Sequence, residues 1–433
     1  MIRLFLLCAA FIVSGATTAQ AKPNVLLIIA DDMGLDSSPC YSIGDGQVKM
    51  PTLEALCRSG IVFDHAYATP MCSSTRATIA SGRYGFDTGI GSALGWNQRG
   101  GLDTSTTTIF DLTTQAGYAN AVIGKWHIGT ASNGGLNHPA QVGVQHYVGM
   151  IEGNVDDYSN WTKTENGRQS QDRRYLTTAL TDEAISFIGR QGSQPWFLWL
   201  AHAAPHGPFH LPPANLHSQN LSGSRQDIRQ NPRPYYLAML EALDSEIARL
   251  LGSMDSATRN NTVVMFFGDN GSPRRVVGTP YSRQTAKATL HEGGTHVPLI
   301  VAAPDSSRRG VREDALVNST DLYATIADLT GANRPANSHS KSFADLIYSA
   351  GASNGRDYAY TEHFARSGGQ GQNNRRQFGW AVTDGDYKLL VVDGAAEALY
   401  QVSRDEGEQR NLIAQQPGIA NQLRAAGQAI RAD

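Results

Sequence analysis

Residues Asn24–Gly34 read NVLLIIADDMG: a continuous apolar run, then two adjacent carboxylates and a glycine. An unbroken apolar run of strand length fits a strand buried on both faces, as in a parallel sheet with helices on each side. Four more runs read the same way: Ala119–Ile123, Trp196–Ala201 (WFLWLA), Thr262–Phe267 (TVVMFF) and Pro298–Ala302. Between them the periodicity turns helical. Leu240, Leu243, Ile247 and Leu250 share one face of Tyr236–Leu251, and Thr52–Ser59 forms a short helix closed by Gly60. This alternation predicts an α/β fold, with a large, mostly parallel mixed sheet flanked by helices.

From Gly331 to Arg356 the chain turns small and polar, which reads as a boundary between a main domain over 22–345 and a small C-terminal α+β subdomain over 346–433. In the latter, Gln377–Thr383, Tyr387–Val392 and Ala398–Gln401 predict short strands, and Ile419–Ala432 a closing helix. Arg366–Arg376 (RSGGQGQNNRR) is a polar loop.

The chain start has the three parts of an export signal over residues 1–21: Met1-Ile2-Arg3, the apolar run Leu4–Val13, and Ala19-Gln20-Ala21 before Lys22. The expectation is a periplasmic or secreted protein without a membrane anchor. Net charge is −3 and no dense Lys/Arg run occurs, which argues against nucleic acid as a partner. Export would leave Cys40, Cys57 and Cys72. An odd count in an oxidising compartment is explained if Cys40 pairs with Cys57 and Cys72 does chemistry; three buried thiols are the other reading.

Polar residues collect where the strands end. The first run meets Asp31-Asp32, Thr262–Phe267 meets Asp269-Asn270, Trp196–Ala201 meets His202 and His206, and Ala119–Ile123 meets Lys125 and His127. Any one is ordinary turn chemistry. Four at the carboxyl ends of strands in an open α/β sheet point to a shared site. Carboxylates brought together there would repel, and an all-oxygen set of Asp and Asn suits Ca2+, with Mg2+ as the alternative.

The segment Thr69–Tyr84, TPMCSSTRATIASGRY, resembles the signature of the formylglycine-dependent sulfatases of the alkaline phosphatase superfamily. That signature is Cys, any residue, Pro, any residue, Arg, then a short helix ending in Gly-Arg. Cys72, Arg76, Gly82 and Arg83 match it; Ser74 stands at the Pro position. NVLLIIADDMG, GKWHIG (124–129), APHGP (204–208), FFGDNG (266–271), AKATLHEGGTHVP (286–298) and Asp384–Leu412 resemble the family's other motifs in order, with His296 where Arg is commoner.

The resemblance implies an alkaline phosphatase-like fold and a sulfuric ester hydrolase acting on a small-molecule or glycan sulfate. It implies that Asp31, Asp32, Asp269 and Asn270 bind the metal together with the residue made from Cys72. A maturation enzyme would convert Cys72 to formylglycine, Arg76 would steady it, and Lys125, His127, His206 and Lys287 would bind sulfate or move protons. An aldehyde hydrate suits the chemistry better than a thiolate, because its second hydroxyl can expel sulfate. His127 is then the candidate base and His206 the candidate acid, with Lys125, Lys287 and Arg76 meeting charge on the sulfuryl oxygens. The free N–H groups of a helix starting at Cys72 also suit an anion. Two further readings stay open: a phosphodiesterase or phosphonate monoester hydrolase of the same superfamily, and an inactive glycan-binding relative, which Ser74 keeps in play. Asn154–Gly167 and the 366–376 loop are expected at the pocket mouth, where Trp161 or Trp380 would stack on a ring or simply pack.

Overall fold

The computed structural model describes residues 22–44, 48–336, 339–365 and 378–432; the expected export segment and the Arg366–Arg376 loop lie outside them. Strands β1 (Asn24–Ala30), β2 (Ile61–Tyr67), β3 (Ala119–Lys125), β4 (His146–Met150), β5 (Trp161–Glu165), β6 (Arg168–Asp172), β7 (Trp196–His202), β8 (Thr262–Gly268), β9 (Leu299–Ala302) and β10 (Val311–Asn318) form one sheet, in the order β10-β2-β9-β8-β1-β7-β3-β4-β5-β6. β8, β1, β7 and β3 lie side by side and parallel, whereas β9 and β5 run against their neighbours. The predicted strand Pro298–Ala302 is therefore the antiparallel member of the central group.

Both faces of β1 are covered, which is why its sequence carries no alternation. Leu26, Ile28 and Ala30 pack in one layer with Leu240, Leu243, Ile247 and Leu250 of the helix Pro232–Ser253, and with the helix Leu176–Gly189. Val25, Leu27 and Ile29 pack in the other, with Ala77 and Ile79 of the helix Cys72–Ser81 and Leu322 and Ile326 of Asp321–Thr330. Each buried Val, Leu or Ile side chain among them contributes about 1.5–3 kcal/mol relative to exposure. The helix Pro51–Ser59 ends at Gly60 as expected. Cys57 on it is disulfide-bonded to Cys40, Cα–Cα 6.3 Å, leaving Cys72 as the free cysteine among the described residues. Closing that loop stabilises by about 3 kcal/mol on chain-entropy grounds.

The stretch read as a boundary holds a short helix, Ala344–Tyr348, whose Leu346 and Ile347 join the second layer. Beyond it β11 (Ala359–His363), β12 (Gly379–Thr383), β13 (Tyr387–Val392) and β14 (Ala398–Gln401) form a small antiparallel sheet under the helix Pro417–Ala432. Trp380 belongs to the core of this unit, against Gly427 and beneath Arg431. Trp161 is also buried, its indole N–H donating to Arg174 O at 3.2 Å.

Candidate active site

Because β8, β1, β7 and β3 are parallel neighbours, their carboxyl ends share one edge, and the residues following them meet there. The Asp32 N–H donates to Asp269 Oδ1 (3.0 Å), and Asn270 Nδ2 donates to Asp32 Oδ1 (2.8 Å). Lys125 Nζ lies 2.6 Å from Asp31 Oδ2, and Lys287 Nζ donates to Asp32 Oδ1. His206 Nε2 is 3.8 Å from Asp32 Oδ2, on the loop after β7. Asp32, His127 and Ala288 hold left-handed backbone (φ 76°, 60° and 67°), which costs roughly 1–2 kcal/mol each and is offset by the contacts around them.

Cys72 is the first residue of its helix. Every residue of that helix is buried, although most are polar, because the side chains find local partners: Thr78 Oγ1 donates to Thr75 O (2.7 Å) and Ser81 Oγ to Ala77 O (2.7 Å). Ser74 does likewise, its Oγ donating to Met71 O (2.9 Å) and lying 2.5 Å from Thr69 Oγ1. Position 74 falls in the first helical turn, where a backbone N–H has no intrahelical acceptor, so the folded helix accepts Ser and Pro alike.

The Cys72 Sγ is 3.2 Å from His127 Nδ1, while His127 Nε2 is 2.9 Å from Leu94 O. A carbonyl only accepts, so Nε2 carries the proton and the Nδ1 lone pair faces Cys72. Burial, followed by the charge of Lys125, holds the imidazole well below its ordinary range and keeps it neutral. Burial also pushes the Cys72 thiol up despite Lys125 and Lys287.

The carboxylates do repel, Asp31 raising Asp269, and the structure adds cations beside them. Asp31, Asp32 and Asp269 do not confront one another alone; Lys125, Lys287 and Arg76 face them, three charges against three. Burial would raise Asp31, yet Lys125 and His206 outweigh it and hold its carboxyl below the ordinary value; Lys287 does the same for Asp32. Asp269 is raised by burial and then by Asp31, with Arg76 offsetting only part. The case for a metal therefore rests on unused acceptors. Asp31 Oδ1 and Asn270 Oδ1 are buried without a hydrogen-bond partner, a costly arrangement that a cation relieves. Asp31, Asp32 and His206 each offer a ligand atom within 4.8 Å of the others. The oxygen atoms fit a hard divalent ion, and adding one makes the site net positive, which suits an anionic ester.

Arg76 has further partners. All three of its nitrogens donate, Nε and Nη2 to Asp269 Oδ2 and Nη1 to Lys125 O (2.7 Å), so it ties the metal-side carboxylate to the end of β3. Arg83 lies exposed beyond the far end of the helix. His202 is buried on β7, and His210 packs against Tyr158 with the rings tilted at 37° and a centroid distance of 4.3 Å. His296 pairs with Glu292 (2.8 Å) and His291 packs against Tyr400, both outside the cluster.

Several supporting residues carry no sequence signal. Tyr236 OH donates to Asp32 O (2.9 Å) from the long helix. Ser272 Oγ donates to buried Asp36 (2.7 Å), and the Gly34 N–H donates to Ser272 Oγ, which ties the two acidic loops together. A Cβ at Gly153 would collide with the His127 ring.

The family model described as "Sulfatase" matches residues 23–332, and one described as "N-sulphoglucosamine sulphohydrolase, C-terminal" matches 284–430. Arylsulfatase G of Rattus norvegicus is 29% identical over 380 residues, 76% of this chain and 68% of that protein. Arylsulfatase J of Mus musculus is 25% identical over 72% of this chain, which spans about half (53%) of that protein. The N-acetylgalactosamine-6-O-sulfatase of Bacteroides thetaiotaomicron is 24% identical over 93% of this chain and 92% of its own length. The crystal structure of Ps i-CgsB in complex with k-i-k-neocarrahexaose superposes with a TM-score of 0.78 at 24% identity, covering 94% of this chain and 93% of that one, a likeness of fold. On the strength of a family model that matches most of its length, the chain belongs to the sulfatase family.

Proposed function

We propose that this protein hydrolyses sulfate esters, of a carbohydrate or an aryl alcohol, with Cys72 matured to formylglycine and Ca2+, or Mg2+, held by Asp31, Asp32, Asp269, Asn270 and the matured residue. The observation that carries this reading is the position of Cys72: it opens a buried helix, touches the free lone pair of His127, and lies in the field of Lys125 and Lys287. Formylglycine, as its hydrate, would supply two hydroxyls, one to attack sulfur and one whose proton loss would expel sulfate, so that each turnover would consume one water and return alcohol and sulfate. Held by Asp31, Asp32, Asp269 and Asn270, such an ion would supply Lewis acidity where negative charge collects.

The chain's own residues do the rest. His127 Nδ1 takes the proton from the Cys72-derived side chain, its orientation fixed by Leu94 O. Lys125 and Lys287 turn from their carboxylates to the sulfuryl oxygens, in a buried setting where such contacts are strong. His206, its Nδ1 donating to Gly207 O (2.8 Å), points Nε2 at Asp32 Oδ2 (3.8 Å) and serves as acid for the leaving oxygen only after Nε2 has taken a second proton, which the Asp32 carboxylate favours. Arg76 positions Asp269 and Lys125.

Ser74 bears on maturation, not on the folded site. A maturation enzyme meets the segment unfolded, where Pro would restrict φ and Ser does not. The Cys40–Cys57 disulfide supports an oxidising location, periplasmic or secreted. No described helix is long and apolar enough to cross a membrane.

Paired assays with an aryl sulfate, a phosphate diester and a phosphonate monoester test the substrate class. The expected result is a higher kcat/KM for the sulfate; a higher value for either phosphorus ester overturns the reading.

A further inference from the structure

We propose that Ser73 is a positioning residue for hydrolysis: its hydroxyl closes a ring of contacts, through the Leu94 peptide, that fixes the tautomer and the aim of His127. This role rests on the sulfatase reading and adds one residue to its machinery.

The ring runs through Cys72, His127, Leu94 and Ser73. Cys72 Sγ lies 3.2 Å from His127 Nδ1, and His127 Nε2 donates to Leu94 O at 2.9 Å. The N–H of the same Leu94 donates to Ser73 Oγ at 3.0 Å. Ser73 follows Cys72 in the first turn of the helix Cys72–Ser81, so the circuit returns to its start through a peptide bond. Arg76, one turn on, ties the same helix to Asp269; Ser73 ties it to the base.

Leu94 depends on such a tie. Residues 89–108 contain no helix or strand, so no ladder of backbone bonds fixes its peptide groups. The segment is held on either side, where the Phe364 N–H donates to Gly91 O (3.1 Å) and the Ala131 N–H to Trp96 O (2.9 Å). Between these points Leu94, half-buried, turns its carbonyl to His127 and its N–H to the wholly buried Ser73. A serine oxygen accepts that hydrogen bond; an alanine methyl leaves the N–H without it, and the peptide is then free to tilt its carbonyl away from Nε2. An imidazole that loses this acceptor can carry its proton on either nitrogen, and with the proton on Nδ1 no lone pair faces Cys72. A misplacement of about 1 Å in such a group costs on the order of a hundredfold in rate.

The test begins on the unmodified protein, where no turnover is needed. In Ser73→Ala the Leu94 amide should exchange with deuterium at least tenfold faster than in the parent. The nitrogen resonances of isotope-labelled His127, assigned with His127→Asn, should change from the Nε2–H tautomer alone to a mixture of both. In matured, metal-loaded enzyme, kcat for 4-nitrophenyl sulfate should fall at least tenfold while KM stays within twofold of the parent. Rates are taken per formylglycine, counted by mass spectrometry of the Cys72 peptide, because residue 73 lies in the segment on which maturation acts. Ser73→Thr, which keeps the hydroxyl, should restore amide protection, tautomer and most of kcat. An unchanged Leu94 amide and His127 tautomer in Ser73→Ala, an unchanged kcat per formylglycine, or equal losses in Ser73→Ala and Ser73→Thr would overturn the positioning role and spare the sulfatase reading. Absence of sulfate-ester hydrolysis by the matured parent would overturn the sulfatase reading, and with it any role of Ser73 in hydrolysis.

Discussion

Arg76 grips Asp269 through two nitrogens at once, with Nε at 3.2 Å and Nη2 at 2.8 Å from Oδ2, and both side chains are wholly removed from solvent. Both bonds land on one oxygen, the other accepts from the Asp32 N–H, and the third nitrogen on Lys125 O couples the ends of β3 and β8. Removing the guanidinium leaves a buried carboxylate uncompensated. Arg76→Ala should therefore lose about 3–5 kcal/mol of stability in urea denaturation. Arg76→Lys, which keeps the charge without the fork, should fall between it and the parent. A loss below about 1 kcal/mol for Arg76→Ala would show that the pair is not a structural tie.

The unused oxygens of Asp31 and Asn270 predict metal dependence that is visible without turnover. Ca2+ added to chelator-stripped protein should raise Tm, by about 2.7 kcal/mol of stabilisation at a hundredfold excess over Kd. It should also restore sulfate-ester hydrolysis lost on stripping. Asn270→Ala should blunt the Tm shift. Full activity in stripped protein would contradict the assignment.

Gly153 is predicted to be intolerant of any side chain. A methyl group there meets the His127 ring, which must move from Leu94 O or from Cys72. Gly153→Ala should lower kcat at least tenfold with little change in circular dichroism. Unchanged kcat would mean that the 151–156 segment yields freely.

Glu362 predicts a pH dependence of stability remote from the site. Burial raises its carboxyl to about 7, against hydrogen bonds from the Phe86 N–H and Tyr360 OH. Between the ordinary value near 4.5 and about 7 the folded chain holds a proton that the unfolded chain has lost. This contribution is thus complete below pH 4.5 and is lost as pH rises through 7, at most about 3 kcal/mol. Glu362→Gln, which stays neutral, should be more stable than the parent above pH 7 and show little difference below pH 4.5. A constant difference across that range would contradict the shift.

What the sequence revealed follows from where each residue's partners lie. β1 and β8 were legible because sheet neighbours and helices cover both faces, leaving an unbroken apolar run. β5 and β6, WTKTE and RQSQD, are mostly exposed and show no apolar period, and in β2 Asp64 and His65 interrupt the run. Asp31, Lys125, His127 and Asp269 were legible because they follow strands directly. The direction of Arg76 was not, since its acceptors lie 49 and 193 residues away. Tyr236, bonded to Asp32 across 204 residues, and Gly153, defined by the room it leaves, have no local pattern to betray them.

The account stands on the state of Cys72, and one measurement addresses it: intact-peptide mass spectrometry of the Cys72 peptide in preparations matured to different extents, each paired with kcat/KM for an aryl sulfate. Burial disfavours the Cys72 thiolate, and a thiol that did attack sulfur would have no second hydroxyl with which to expel sulfate. The predicted result is hydrolysis that scales with the fraction of formylglycine and vanishes with it, Ser74 notwithstanding. Sulfate-ester hydrolysis by protein whose Cys72 is entirely an unmodified thiol would contradict the account.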